Sequence, residues 1–534
     1  MGLNLADAMI RTAGRHGEEV AVLLDEVELS YSQLEEMTAR GAALLRDRGT
    51  GSGDRVGLML SNVPAFVVLY YSILRAGGVV VPMNVLLKRR EVAYYLENSG
   101  AKLLLAFDEV REEAEAGAAE AGAETMVLPP GGLPEWLRPY EPEPAVADTE
   151  PEDTAVILYT SGTTGKPKGA ELTHANLDGN ADVVARTMIT VSQGDVVLGA
   201  LPLFHSFGQT AAMNASLRSG ACLALLPRFD PERALETMRA LGVTVFLGVP
   251  TMYTAMLNLP GRDRFEVPSL RTCISGGQSL PVEVLHGFEE AFGCKILEGY
   301  GLSETSPVAC QNQPDRERKP GSIGLPIEGT DMKIVDDSGA QLPDGEVGEI
   351  LIRGPNVMKG YWQRPEATEE AIRDGWLHTG DLGRRDSDGY YYVVDRKKEM
   401  IIRGGYNVYP REVEEILYEH PDVAEAAVIG FPDPTHGEEI GAAVVLKDGA
   451  KAGAEDLQAH VKGQLASSMA LRVSLVNLQK LTLWAWLAPA SMRMLAPAQN
   501  TRSLAERSST TLTSGCSKRS RSIASASSMS TPRS

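Results

Sequence analysis

Residues 159–170 read YTSGTTGKPKGA, with three glycines, five hydroxyl side chains and two lysines directly after the apolar run AVIL. A glycine-rich turn leaving a strand exposes backbone N–H groups, because no Cβ stands in the way. Hydroxyls of Thr160, Ser161, Thr163 and Thr164 add donors, and Lys166 and Lys168 add positive charge, so a polyphosphate is the natural guest. The spacing is not that of a Walker A loop: Gly162 and Gly165 are three apart, and Pro167 follows Lys166. A flexible surface linker is the competing reading, but linkers do not usually follow a buried-strand pattern so closely. A second stretch, GYGLSETSP (299–307), begins like a dinucleotide fingerprint through Gly299 and Gly301 but carries Glu304 at the place of the third glycine. An acidic residue there, beside Ser303 and Thr305, suits Mg²⁺ held against phosphate oxygens; for Ser303, a helix N-cap is the plain alternative. A third stretch runs from His378 through HTGDLGRRDSDGYYYVVDRKKEMIIRGGYNVYPREVE. In it Asp381 can accept hydrogen bonds from two sugar hydroxyls, Arg396 can reach a ribose or phosphates, and Arg403-Gly404-Gly405 can flex or pack a thin ligand closely.

These loops need elements to hold them. Short β-rich apolar runs (RVGLML, VVVP, AKLLLAF) alternate with helical patterns (PAFVVLYYSILRAG, KRREVAYYLENSG). After a Pro/Glu-rich connector the alternation resumes with TAVILYT, DVVLGAL, ACLALLP, VTVFLGV and RTCIS. Parallel sheets covered by helices are predicted, an α/β fold. From about residue 328 strands and tight turns take over, and near Asp395 a compact module begins with the helix PREVEEILYEH and the strands AEAAVIGF and IGAAVVLK. The expected organisation is a large domain over 1–394, a small mobile α+β domain over 395–480, and an atypical, disordered tail over 481–534.

The net charge of -20 argues against a nucleic-acid binder and against attraction to anionic membranes, so an anionic substrate must be met by local cations. Five cysteines without any C-x-x-C spacing suggest neither a disulfide framework nor a zinc site. No apolar run is clean and long enough to span a bilayer, and the N-terminus carries no export signal pattern. A cytoplasmic protein is expected, with a homodimer as the assembly left open.

The three motifs, in this order and at these separations, resemble the signature of the adenylate-forming superfamily: acyl-CoA synthetases, firefly-type luciferases and peptide-synthetase adenylation domains. The likeness runs from about residue 5 to about 467 and has the character of bacterial fatty-acyl-CoA ligases. It implies a large domain of parallel-rich sheets with a β-barrel-like subdomain, and a small rotating domain. It implies that the loop from Thr160 to Gly169, with Lys168 catalytic, wraps the β- and γ-phosphates of ATP. Gly276, Gly277 and Gln278, with Tyr300 and Gly301, would form the adenine pocket; Glu304, beside Thr305, would bind Mg²⁺; Asp381 and Arg396 would hold the ribose. Lys398 would be the hinge, and the Arg403-Gly404-Gly405 run would face the pantetheine of CoA. His205, in LPLFHSFGQ, would lie near the acyl carboxylate, although a structural histidine is a serious rival there and the better reading for His378.

The implied reaction joins a fatty acid to CoA through an acyl-adenylate. Its first step brings two anions together, so positioned cations and N–H donors are required. One feature departs from the family. No Gly-Lys pair occurs after residue 440, where a ligase carries the lysine that bridges carboxylate and phosphate, and Glu506 is the only acidic residue after Asp456, as if the reading frame had changed. The rival function is therefore a non-catalytic or adenylation-impaired nucleotide- and acyl-binding protein.

Overall fold

The computed structural model describes residues 2–160, 166–397, 399–403, 406–433, 437–447, 449–464 and 471–475. All of these fall in one compact unit, Met1–Gln479. Ser161 to Gly165, Lys398, Gly404, Gly405 and the 481–534 tail lie outside the described residues.

Two large sheets carry the first 330 residues. One has nine strands, with a parallel centre of Cys222–Leu225, Val196–Gly199, Val245–Gly248, Thr272–Ser275 and the Lys295–Gly301 strand. These are the near-continuous apolar runs the sequence displays, and every residue of Val245–Gly248 and Thr272–Ser275 is buried, as in a sheet covered on both faces. The other has seven strands. In it Thr154–Thr160 pairs with Lys168–Thr173 in antiparallel register, Thr160 opposite Lys168, so the strands on either side of residues 161–165 lie together. The short Gly360–Tyr361 strand then pairs with Lys168–Thr173 from the other side.

An antiparallel five-stranded sheet follows, containing Asp331–Val335, Gly348–Arg353, Trp376–Arg385 and Tyr391–Arg396. It is the sheet of strands and tight turns expected from residue 328. The module after Asp395 has its own sheet and its own apolar core, including Ile401, Val413, Leu417, Val428, Ile440, Val444 and Leu457. Its first helix, Pro410–Tyr418, starts with proline at a position where no intrahelical N–H is needed, and buries Val413, Ile416 and Leu417 on one side. Among the described residues no helix is long and apolar enough to cross a membrane. One element had no sequence signal: Phe207–Asn214, directly after His205, is a buried π-helix rather than an ordinary helix.

Candidate functional site

The chemistry-bearing residues converge at the C-terminal ends of the parallel strands, the edge where ligands of open α/β sheets bind. The Thr272–Ser275 strand delivers Gly276 and Gly277 at its end, and Lys295–Gly301 delivers Gly299, Tyr300 and Gly301. A Cβ on Gly276 would stand 3.2 Å from the Phe207 ring and 3.4 Å from the Gly299 carbonyl, so a side chain there would press on both segments. Gly277 has φ +82, a left-handed turn suited to glycine. It and Gln278 are exposed at the rim. At Gly301 an added Cβ would lie 1.7 Å from the Pro307 carbonyl oxygen, which explains that glycine without any ligand.

Tyr300, Asp381 and Arg396 meet although they are far apart in the chain. The Tyr300 hydroxyl donates to Asp381 Oδ2 at 2.6 Å, and Arg396 Nε lies 3.3 Å from Asp381 Oδ1. Asp381 and Arg396 are register partners in adjacent antiparallel strands, and Thr379 Oγ1 accepts from the Asp381 N–H at 3.0 Å. Asp381 is only 3% exposed; burial pushes its pKa up, while Arg396 and Tyr300 pull the other way. Both carboxylate oxygens are thus already engaged, and a sugar would have to exchange with or join Tyr300 and Arg396. His378 belongs to the frame of this cluster: its Nδ1 is 3.5 Å from Glu349, whose other oxygen accepts from the Gly380 N–H at 3.2 Å.

Glu304 sits one turn further on. Its Oε1 accepts from the Tyr361 hydroxyl at 2.8 Å and from Thr160 Oγ1 at 3.4 Å. Lys168 Nζ lies 5.0 Å from the centre of the same Tyr361 ring, a cation–π distance. Arg396 feels the charge of Glu304 as well as that of Asp381, which joins the two clusters. Lys166 points elsewhere within reach, with Nζ 5.2 Å from the Tyr94 ring centre, while the Tyr94 hydroxyl donates to the Pro167 carbonyl at 2.7 Å. Thr305 is fully buried, and its hydroxyl donates to the Leu302 and Pro307 carbonyls and accepts from the Leu302 N–H. That is the geometry of a brace that sets the turn under Glu304.

No group of three or more His, Cys, Asp or Glu side chains fit for a metal occurs among the described residues. A fully protein-built cage is therefore not what these residues form. One carboxylate with a neighbouring hydroxyl does fit Mg²⁺, which dehydrates reluctantly and is typically held by one or two carboxylates plus substrate phosphates. Glu304 and Thr160 are that pair.

His205 keeps an exposed edge, while burial of its ring among neighbouring atoms holds its pKa below the usual imidazole value. Its Nδ1 accepts from the Phe207 N–H at 3.3 Å, leaving Nε2 as the protonated nitrogen. Ser206 Oγ lies 3.5 Å from Ser303 Oγ, which sets this loop beside Glu304. Arg403 ends the Ile401–Arg403 strand of the small module. Its guanidinium forks onto the buried Glu439 carboxylate inside the small module. Tyr361, Glu349 and Thr379 are the site residues that the sequence reading omitted; GYW at 360–362 was the available signal for the first.

Comparison with known proteins follows the same lines. Residues 9–362 match the family described as AMP-binding enzyme, and residues 412–482 match the AMP-binding enzyme C-terminal domain. The chain is 38% identical over 503 residues to a long-chain-fatty-acid–CoA ligase of Bacillus subtilis (strain 168), covering 86% of this chain and 89% of that protein. It is 39% identical over 457 residues to a feruloyl-CoA synthase of an Amycolatopsis species, covering 85% and 89%. Among solved structures, ATP-bound MatB from Rhodopseudomonas palustris superposes with a TM-score of 0.84 at 35% identity, over 89% of this chain and 95% of that one.

Proposed function

This chain belongs to the AMP-binding enzyme family, and from that premise we propose that it is an ATP-dependent, AMP-forming acid–CoA ligase whose acid is a medium- or long-chain fatty acid. The observation that carries the reading is the gathering of Thr160, Lys168, Tyr300, Glu304, Asp381 and Arg396 at one strand edge, from segments separated by more than two hundred residues. Adenine lies along Gly276, Gly277 and Gln278, with Tyr300 beside it and Gly301 allowing the close turn. Asp381 takes the ribose hydroxyls with Arg396 as its neighbour. Lys168 and Lys166 supply charge near the phosphates, together with the loop N–H groups of residues 161–165.

The acid's carboxylate attacks the α-phosphorus of ATP, pyrophosphate leaves, and the acyl-adenylate forms; the CoA thiol then attacks the acyl carbonyl and AMP leaves. Positioning and charge carry such a step. Mg²⁺, held through Glu304 and Thr160, supplies positive charge to the phosphates when bound. Thr305 contributes by fixing the turn that aims Glu304. His205, neutral at pH 7 with Nε2–H free of the Phe207 bond, is a donor for the acyl carboxylate. Residues 1–394 act as the adenylation part and 395–480 as a part that turns about Lys398 and brings Arg403, Gly404 and Gly405 to CoA in the second step.

For the acid, similarity to the Bacillus subtilis relative supports an alkyl chain, as do the apolar side chains Phe207 and Val249 near Gly276 and Gly277. Acid-dependent conversion of ATP to AMP and pyrophosphate, run over a panel of alkyl and aromatic acids with CoA, tests the proposal. Highest turnover on an alkyl acid is expected, and a preference for an aromatic acid would move the substrate class. A second reading, an adenylation-impaired nucleotide- and acyl-binding protein, rests on the missing Gly-Lys pair after residue 440. Tight ATP binding without AMP formation from any acid would favour it.

A further inference from the structure

The small module meets the large one through the Pro410–Tyr418 helix, and Arg411 stands at that contact with its side chain 17% exposed. Its Nη1 donates to the Val393 carbonyl at 2.6 Å, its backbone N–H points at Asp395 Oδ2 at 3.5 Å, and its Nε lies 3.6 Å from Glu415 Oε1. Across the contact is Glu298, 4% exposed in the Lys295–Gly301 strand. Its two oxygens accept from the Leu280 and Gly321 N–H groups, each at 3.1 Å. Glu298 is drawn by Arg411 and repelled by Glu415, while Glu415 itself accepts from the backbone N–H of Val282 on the large side. Glu414 accepts from the Val428 N–H at 2.8 Å. Arg411 is thus a cation that touches Asp395 and Glu415 and whose charge also favours the ionised forms of Glu298 and Glu414, the four carboxylates packed here. Glu399 adds its charge near Asp395, and Glu419 adds its charge near Glu415.

We propose that Arg411 is a positioning residue that latches the small module against the nucleotide face by offsetting these four carboxylates. The latch reaches the site at two points. Glu298 precedes Tyr300 by two residues in one strand, and Leu280, whose N–H it holds, follows Gln278 by two. The inference rests on the ligase reading for its significance but not for its test.

Acid should substitute for the arginine. Burial pushes Glu298 and Glu414 up to about 7 and Asp395 up to about 6. Groups raised in this way favour the docked arrangement below those values, where they are uncharged, and oppose it as pH rises through them. Arg411 therefore matters most above pH 7 and less below pH 6.

The experiment is hydrogen exchange of the full chain without substrates, as protection factors corrected for intrinsic rate, at pH 6 and pH 8. Arg411→Gln should lose about tenfold or more protection in residues 279–283 and 410–418 at pH 8, the loss expected for one charge-assisted interaction, and a clearly smaller loss should remain at pH 6, where the bond to the Val393 carbonyl is still missing but the carboxylates are largely uncharged. Protection in the Gly437–Leu446 strand, inside the small module, should not change. Arg411→Lys keeps the charge and should retain most of the protection; it also serves if the glutamine variant folds poorly. Unchanged protection in Arg411→Gln at pH 8, or a loss of equal size at both pH values, would overturn the latch. If protection behaves as expected while no acid is turned over, the latch stands and the ligase reading fails.

Discussion

Replacing Asp381 by alanine removes the carboxylate on which the ribose assignment depends, and the structure sets the size of the effect. The Tyr300 hydroxyl at 2.6 Å makes a hydrogen bond to a charged acceptor, worth about 1.5–3 kcal/mol. The Arg396 contact at 3.3 Å adds little, because that guanidinium is 57% exposed and solvent screens it; such pairs contribute about 0–1 kcal/mol. The variant should therefore lose about 1.5–4 kcal/mol of stability and still fold. For ATP the accounting is an exchange: ribose hydroxyls meet a carboxylate that Tyr300 and Arg396 already engage. The net loss is then about that of one charged hydrogen bond, roughly 1.5–3 kcal/mol, or about a 10- to 150-fold rise in Kd. Calorimetric titration with ATP and, separately, with a fatty acid reads both affinities. Weaker ATP binding with fatty-acid binding intact is expected. Equal ATP affinity in the two proteins would refute the assignment, and equal loss for both ligands would point to collapse of the cleft.

Glu304→Gln keeps an acceptor for Tyr361 but removes the charge, and adenylation should slow by about 3–4 kcal/mol, a hundredfold to a thousandfold; an unchanged rate at limiting Mg²⁺ would exclude Glu304 from metal binding. The missing Gly-Lys pair should damage adenylation more than thioester formation, because the thiol-step residues lie before the departure. CoA thioester formed from pre-made acyl-adenylate should outrun that formed from acid and ATP by about a hundredfold or more, and grafting a C-terminal segment with the Gly-Lys motif should close the gap. Comparable ATP-driven rates with and without the graft would mean that another group serves. Glu298 gives a pH dependence: burial raises its pKa to about 7 from an ordinary value near 4.5, so its stabilisation is complete below pH 4.5 and is lost as pH rises through 7, on the order of 3 kcal/mol in all. Chemical denaturation from pH 5 to pH 8 should show this slope in the natural chain and a flatter one in Glu298→Gln; identical slopes would remove Glu298 as its source.

The parts of the site that follow local rules were legible in the sequence. TAVILYT is the Thr154–Thr160 strand residue for residue, because a buried apolar run ended by glycines and hydroxyls has few alternatives. The helix read from PREVEEILYEH ends two residues earlier, at Tyr418, within the usual fraying of a last turn. What pairwise contact decides was not legible. Nothing in GYGLSE announces that Tyr300 will bond a carboxylate 81 residues away, since that depends on how a parallel sheet meets an antiparallel one. Tyr361 reaches Glu304 only because its short strand adds to the edge of the Lys168–Thr173 strand. The fork that Arg403 makes with Glu439 was not legible either, because it depends on a strand 36 residues on. The three bonds that the Thr305 hydroxyl makes inside its own turn are likewise not announced by GYGLSETSP.

The proposed chemistry transfers one oxygen of the acid to the α-phosphorus of ATP, and that oxygen leaves with AMP when CoA attacks. Incubating the protein with a heavy-oxygen-labelled fatty acid, ATP, Mg²⁺ and CoA, and weighing the nucleotide product, follows that atom directly. One labelled oxygen should appear in each AMP formed, in step with acyl-CoA. Acyl-CoA formed with unlabelled AMP, or label found in inorganic phosphate beside ADP, would contradict an acyl-adenylate at this site.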